Sequence, residues 1–261
     1  MNDVSKTLYI PLYGKALVSG KGIILKDTCA EEIWERVSFP LKRKSKSKWL
    51  AYYMAMRAST MDMWLKKKIQ SNKDAVILHL GCGLDSRFTR VGGGGSLWFD
   101  IDFEDVISER RKYFTESEGY RMLSSDIRTC DFISSLPKST VAIVIMEGVS
   151  MYLKDSELKK LFADLSAHFP RLLVLLDCYT PLGVKMSKIK NPAKDVGATA
   201  FYGIENPHSL ESGTGLKFVK EHSITPKELA CQFRGLEGFI FRLFYAGGLS
   251  KKLYKLYEYE N

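Results

Sequence analysis

The chain has no closely spaced cysteine pair, no histidine cluster, no internal repeat and no long apolar run, and each gap removes a class of protein. Its five cysteines, Cys29, Cys82, Cys130, Cys178 and Cys231, are odd in number and far apart. That spacing excludes a disulfide framework or a zinc centre and predicts reduced thiols in the cytoplasm. The four histidines are scattered, so no metal is expected. No segment approaches the roughly 20 consecutive apolar residues that span a bilayer. The polar first nine residues lack the apolar core of a secretory signal. A cytoplasmic protein without a membrane partner is the expectation.

What is present is an ordinary folding composition: 45% hydrophobic and 26% charged residues in 261, too apolar for disorder and long enough for one large domain. The net charge is +9, and part of it is concentrated in Lys42, Arg43, Lys44, Lys46 and Lys48 and in Lys66, Lys67 and Lys68. Such runs can meet phosphate backbones. The favoured reading is a solvated face or an anion-attracting entrance, with nucleic acid not expected as a partner.

The middle of the chain alternates short apolar runs with helical patterns. Strands are predicted over 75–80, 97–101, 121–123, 141–146 and 172–176. They read mostly as continuous runs of Val, Ile, Leu and Met, as central parallel strands covered on both faces require. Helices are predicted over 85–90, 104–117 and 155–169, with Asp155 as N-cap and Pro170 as stop. This alternation predicts an α/β doubly wound, mostly parallel sheet. Two helical segments, 28–37 and 48–69, precede it, and runs 216–222 and 239–245 are read as two further strands. The organisation expected is a single domain, 1–261. It comprises a helical N-terminal cap (1–72), a cofactor-binding core (73–180), a cap segment (181–215) and C-terminal strands and helix (216–261).

The first strand runs into Leu80-Gly81-Cys82-Gly83-Leu84-Asp85-Ser86. Glycines at a strand end let bare backbone approach a ligand in the crevice at the carboxyl edge of the sheet. A dinucleotide fingerprint would need a third glycine where Ser86 stands, so GxGxD suits a ligand without a pyrophosphate. About 20 residues on, the second strand ends in Trp98-Phe99-Asp100-Ile101-Asp102. A carboxylate there can accept both hydroxyls of a ribose. Alternation puts Asp100 and Asp102 on one face, so either serves. Asp126 after the third strand could read an adenine edge or cap a helix. Glu147, followed by Gly148 at the tip of the fourth strand, calls for a cationic or hydrogen-bonding partner. Arg57 shares an otherwise apolar helix stripe with Tyr53 and Met61. It calls for an anion, either a structural salt bridge or a ligand carboxylate.

Six segments in order resemble the leucine carboxyl methyltransferase family, which includes the methylase of protein phosphatase 2A and bacterial O-methyltransferases of the polyketide-tailoring type. They are Tyr13-Gly14-Lys15-Ala16, the Arg57 helix, LGCGLDSRFTR from Leu80, WFDIDFEDVISERR from Trp98, SSDIR from Ser124 and EGVSMYL from Glu147. Together they cover roughly residues 10 to 180. The resemblance implies a Rossmann-like class I methyltransferase fold and S-adenosylmethionine as cofactor. It implies that Lys15 and Arg57 hold the methionine carboxylate, that Gly81 lies against the methionine, that Asp102 meets the ribose, that Asp126 and Ile127 meet the adenine, and that Glu147 lies near the methionine end. Cys82, Gly83, Asp85, Asp100 and Gly148 complete the candidate cofactor residues.

The implied activity is methyl transfer to a carboxylate or hydroxyl of a small molecule. A carboxylate is already ionised at neutral pH and needs no base; a phenol or alcohol does. Tyr152, Asp177, Tyr179 and Tyr202 fall in segments expected to line the acceptor pocket, and none is assigned a catalytic role. Four alternatives stand beside this reading: nucleic-acid methylation, protein carboxyl methylation, a nicotinamide oxidoreductase, and a cofactor-binding protein without turnover. The first is disfavoured because Glu147-Gly148-Val149-Ser150 stands where base methylases carry an Asn/Asp-Pro-Pro-aromatic motif. The third is disfavoured by Ser86.

Overall fold

A computed structural model describes residues 5–42, 44–187, 201–233 and 235–261. A seven-stranded sheet runs through it: β1 (Val76–Leu80), β2 (Leu97–Asp102), β3 (Tyr120–Ser124), β4 (Val141–Met146), β5 (Arg171–Tyr179), β6 (Lys217–His222) and β7 (Tyr254–Glu260). The order is β3-β2-β1-β4-β5-β7-β6. The first five strands are parallel, and β7 is antiparallel to both neighbours. Every residue of β1, and all but the first of β4, is buried. Helices cover both faces and leave no polar side to the strands.

Around the sheet lie α1 (Tyr9–Gly20), α2 (Thr28–Arg36), α3 (Lys48–Ser71), α4 (Arg87–Val91), α5 (Glu104–Arg110), α6 (Asp155–His168), α7 (Pro181–Ser187), α8 (Lys227–Ala230), α9 (Gly235–Phe244) and α10 (Gly248–Leu253). The five parallel strands and β6 stand where the apolar runs predict them. Helix α1 is not anticipated. It packs on α3 where Gly14 meets the Ala51 Cα, at 3.2 Å from where a Cβ would stand; a larger residue would push the two helices apart. Asp27 caps α2 by accepting the Ala30 N–H at 3.0 Å.

Three expectations need correction. The run 239–245 is not a strand; it lies almost wholly within α9. A short apolar run does not by itself distinguish strand from buried helix. The last strand is instead Tyr254–Glu260, whose Lys255, Glu258 and Glu260 hide it among polar residues. Glu258 is buried there between Lys68 at 2.7 Å and His222 at 2.5 Å. The predicted helix over 104–117 closes at Arg110, and Ser117 then pairs with Tyr120. Asp155 is the first helical residue, not the cap. Lys154 precedes it, and the Lys154 N–H donates to Glu157 Oε2 at 2.7 Å. Of the 181–215 segment, residues 188–200 lie outside the described residues; α7 and a 3-10 turn over Pro207–Leu210 flank them.

Between β1 and β4 the strand order reverses. The crossover helices therefore diverge to opposite faces, and a crevice opens beyond the carboxyl ends of these two strands.

Candidate functional site

A cavity of about 660 Å³ fills that crevice, within the size range of small-molecule sites. Its floor is the set of loops after β1, β2, β3 and β4. Its walls come from α1, α3 and the chain from α9 to the start of β7.

The glycine loop needs its glycines for more than a ligand. Gly81 and Gly83 have φ of +67° and +54°, a region that side chains other than glycine enter at a cost. A Cβ on Gly81 would also overlap the Val149 side chain from the β4 loop. The two loops are thus in contact at the switch point.

At the tip of β2, Asp102 accepts the Gly83 N–H on Oδ2 and the Phe103 N–H on Oδ1, each at 2.8 Å. Burial outweighs these donors and pushes its carboxyl up to about 6. Asp100 is a different kind of residue. It is fully buried, accepts from Trp98 Nε1 at 2.8 Å and the Tyr120 hydroxyl at 2.6 Å, shares a hydrogen bond with His79 Nδ1 at 2.9 Å, and pairs with Arg110. Burial pushes its carboxyl upward, but Arg110 and His79 override that and hold it at about 2. Asp100 does not line the cavity. The expectation that either aspartate could face the ligand is corrected: Asp100 is two residues deeper, under α5, and already saturated.

The tip of β4 holds the densest charge. Glu147 pairs with Arg57 at 3.0 Å, with Lys15 at 3.7 Å and with Arg87. Burial alone would raise its carboxyl, yet Lys15, Arg87 and Arg57 hold it well below the usual range. Lys15 also meets Asp85 at 2.8 Å. Arg57 donates from Nη1 to the Tyr254 hydroxyl and lies against Asp177 Oδ2, both at 2.8 Å. Its Nε is buried and has no hydrogen-bond partner. The cluster continues outward through Arg87 to Asp62 at 2.7 Å, and through Arg90 to Asp62, Asp27 and Asp85 at 2.6–2.8 Å.

Eleven of the twelve candidate cofactor residues line this one cavity: Lys15, Arg57, Gly81, Cys82, Gly83, Asp85, Asp102, Asp126, Ile127, Glu147 and Gly148. Of the acceptor-side candidates, Tyr152 and Tyr179 line it, while Asp177 and Tyr202 do not. Asp177 is fully buried behind Arg57, accepting the Gly148 N–H at 2.7 Å and the Tyr254 hydroxyl at 2.6 Å. It supports Arg57 and does not line the cavity. Tyr202 is partly exposed.

Sequence reasoning missed Tyr254, Asp62, Arg87, Arg90 and His79. The arginines carried a signal, since two cations one helical turn apart immediately after a glycine loop need anions. Tyr254 carried none, because its strand was not recognised.

The chain matches the family model described as leucine carboxyl methyltransferase over residues 3–166. It is 30% identical over 243 residues, 92% of this chain and 90% of the relative, to the tetracenomycin polyketide synthesis O-methyltransferase TcmP of Streptomyces glaucescens. It is 28% identical over 65% of its length to the S-adenosyl-L-methionine-dependent methyltransferase dpfgK of Gibberella zeae, covering 62% of that protein. Magnesium protoporphyrin IX methyltransferase of Synechocystis, solved with bound S-adenosylhomocysteine, shares the fold: 13% identity, TM-score 0.53, 88% of this chain and 93% of that one. The sheet is that of a class I methyltransferase, and the chain belongs to the leucine carboxyl methyltransferase family of S-adenosylmethionine-dependent methyltransferases.

Proposed function

We propose that the protein methylates an oxygen of a small molecule in the cytoplasm, a carboxylate in preference to a hydroxyl. S-adenosylmethionine, when bound, supplies an electrophilic sulfonium methyl. The residues of the cavity fit that cofactor. Gly81 and Gly83 bring bare backbone to the crevice, Asp102 offers a carboxylate to the ribose hydroxyls, and Asp126 and Ile127 bound the adenine end. Arg57 Nε, buried without an acceptor, has a hydrogen bond to give to the methionine carboxylate, with Lys15 beside it. Five free cysteines support a reducing compartment.

One observation carries the preference for a carboxylate: among the described lining residues, no base is free. Asp85 and Glu147 are held by cations, Asp126 by Arg128, and Asp102 by two backbone N–H groups. His79 is locked between Asp100 and Arg87, and burial lowers its pKa. Burial pushes the phenols of Tyr53 and Tyr152 up to about 12. An acceptor that arrives ionised needs none of these groups as a base. Apolar and aromatic walls (Leu50, Met54, Tyr152, Tyr179, Leu253) offer the acceptor a surface of low polarity, which favours a transfer in which opposite charges cancel. Transfer needs the acceptor oxygen in line with the bond from sulfur to methyl, and these walls are the surfaces that would hold it there. The Streptomyces relative, named for O-methylation in polyketide synthesis, supports a small-molecule acceptor.

The test is a panel of aromatic carboxylic acids and phenols incubated with methyl-labelled cofactor and read by mass analysis. Methyl esters formed at a rate flat across neutral pH are the expected result. Products from phenols alone, at a rate climbing with pH, would reverse the preference, and no affinity for the cofactor by calorimetry would remove the reading altogether.

A further inference from the structure

Helix α9 is apolar on two opposite faces. One face is buried: Phe241 packs on Tyr52 and Phe233. The other presents Leu236, Phe239 and Leu243 at 74%, 59% and 56% exposure, with Phe244 at 62% beside them. These residues follow the i, i+3, i+7 spacing of a single helix stripe. Leu182 and Met186 of α7, which packs on α10, are exposed as well. An exposed apolar stripe such as that of α9 is uncommon on a soluble monomer and marks a surface that meets something.

The charge around the stripe says what it meets. Residues 235–253 carry Arg242, Lys251 and Lys252 against a single acid, Glu237. That acid is engaged by Lys48 at 2.9 Å and by the Tyr52 hydroxyl at 3.1 Å. The segment 40–50 carries five cations and no acid. Its end is pinned to α9 by Lys48 on Glu237 and by Trp49 stacked on Tyr245, ring centroids 5.8 Å apart. Lys42, Lys44 and Lys46 are exposed. A second copy would bring this cationic rim against its own like, which disfavours self-association. An apolar helix face flanked by lysines is what an anionic lipid interface takes up. Phe244, Tyr245 and Leu253 also line the cavity, so the stripe is continuous with the cavity mouth. Among the described residues no helix is long and apolar enough to cross a membrane, and contact at the interface requires none.

We propose that the exposed stripe of α9 and its flanking lysines dock the protein on an anionic lipid surface, turning the mouth of the cavity toward the interface from which apolar acceptors enter. The docking is independent of the identity of the acceptor, so it stands or falls separately from the methyl-transfer reading.

Co-sedimentation with extruded vesicles tests it. The wild-type protein pellets with phosphatidylglycerol–phosphatidylcholine vesicles, stays in solution with phosphatidylcholine alone, and is released by high salt. The triple variant Leu236→Ser, Phe239→Ser, Leu243→Ser and, separately, the pair Lys251→Glu, Lys252→Glu each lower the bound fraction about tenfold. None of these five residues lines the cavity, so affinity for S-adenosylmethionine by calorimetry is unchanged in both and certifies the fold. Failure to pellet with the anionic vesicles, or equal pelleting of wild type and the folded charge variant, overturns the proposal. A dimer in light scattering that the triple variant dissolves overturns it in favour of a second copy, and salt-sensitive capture by an acidic protein but not by vesicles overturns it in favour of a protein partner.

Discussion

Glu147 and Arg57 meet at 3.0 Å across the switch point of the sheet, one at the tip of β4 and the other on α3, both almost sealed from solvent. Their pairing ties the N-terminal helices to the carboxyl edge of the sheet. Glu147 is the shared counter-ion of Lys15, Arg57 and Arg87. A buried pair is weak evidence for stability as such, but removing Glu147 leaves three buried cations one carboxylate short, with Asp85, Asp177 and Asp62 as their remaining partners.

Glu147→Gln therefore lowers both stability and cofactor affinity. The loss of folding free energy is about 3 kcal/mol, the low end for an orphaned buried charge because glutamine still accepts one hydrogen bond. Urea denaturation reads the first effect and calorimetry with S-adenosylmethionine the second. Unchanged stability would mean that Asp85, Asp177 and Asp62 balance the three cations without it.

Asp102 sets a pH dependence of opposite sign for folding and for cofactor binding. Its carboxyl is raised to about 6 by burial, above its usual value near 4. Folding thus favours the neutral form. This group's contribution to stability is fully present below about pH 4 and is lost as pH rises through about 6. In the proposed role at the ribose, Asp102 accepts the hydroxyls in its ionised form, so cofactor affinity is expected to fall as pH drops below 6, by up to about tenfold per pH unit. Calorimetry from pH 5 to 8 on wild type and Asp102→Asn separates the cases: the variant binds weakly with no step near 6. A step retained in the variant would assign it to another group.

The parts of this architecture legible in sequence are those where one physical signal dominates. The Val76–Leu80 and Val141–Met146 strands are apolar except for His79, because both faces are covered, and their glycine-bearing ends mark the crevice. The parts that were not legible depend on competition between signals. Residues 239–245 carry apolar side chains that suit either periodicity, and the strand over Tyr254–Glu260 contains a buried glutamate that partners distant in sequence, Lys68 and His222 foremost, make tolerable. Asp100 and Asp102 look alike at i and i+2; depth under α5, with Arg110 above it, is what distinguishes them.

That distinction is testable at Arg110. Arg110→Met removes the cation from a fully buried Asp100 and leaves it only the His79, Trp98 and Tyr120 contacts. Stability falls by about 3–5 kcal/mol, read as a drop in denaturation midpoint. Arg110 also donates to the Gly83 carbonyl at 3.0 Å, so affinity is read on Asp100→Asn instead: because Asp100 does not line the cavity, cofactor affinity of that variant, where folded, stays within about threefold of wild type, well under the tenfold that each 1.4 kcal/mol would produce. A large affinity loss in fully folded protein would return Asp100 to the binding site.

Gly81 offers a last measurement, because two causes predict the same intolerance to substitution. Alanine at φ +67° costs roughly 1–2 kcal/mol from the backbone alone. Its Cβ would also overlap Val149, on the neighbouring loop. If the overlap matters, Val149→Ala makes room, and the double variant Gly81→Ala, Val149→Ala loses less stability than the two single changes added together. A favourable coupling of at least about 1 kcal/mol is expected, within the range found for residues in contact. The backbone term survives in the double variant, so stability does not return to the wild-type value. Simple additivity in the absence of cofactor, with coupling that emerges only when S-adenosylmethionine is added, would mean that the glycine makes room for the ligand and not for the adjacent loop.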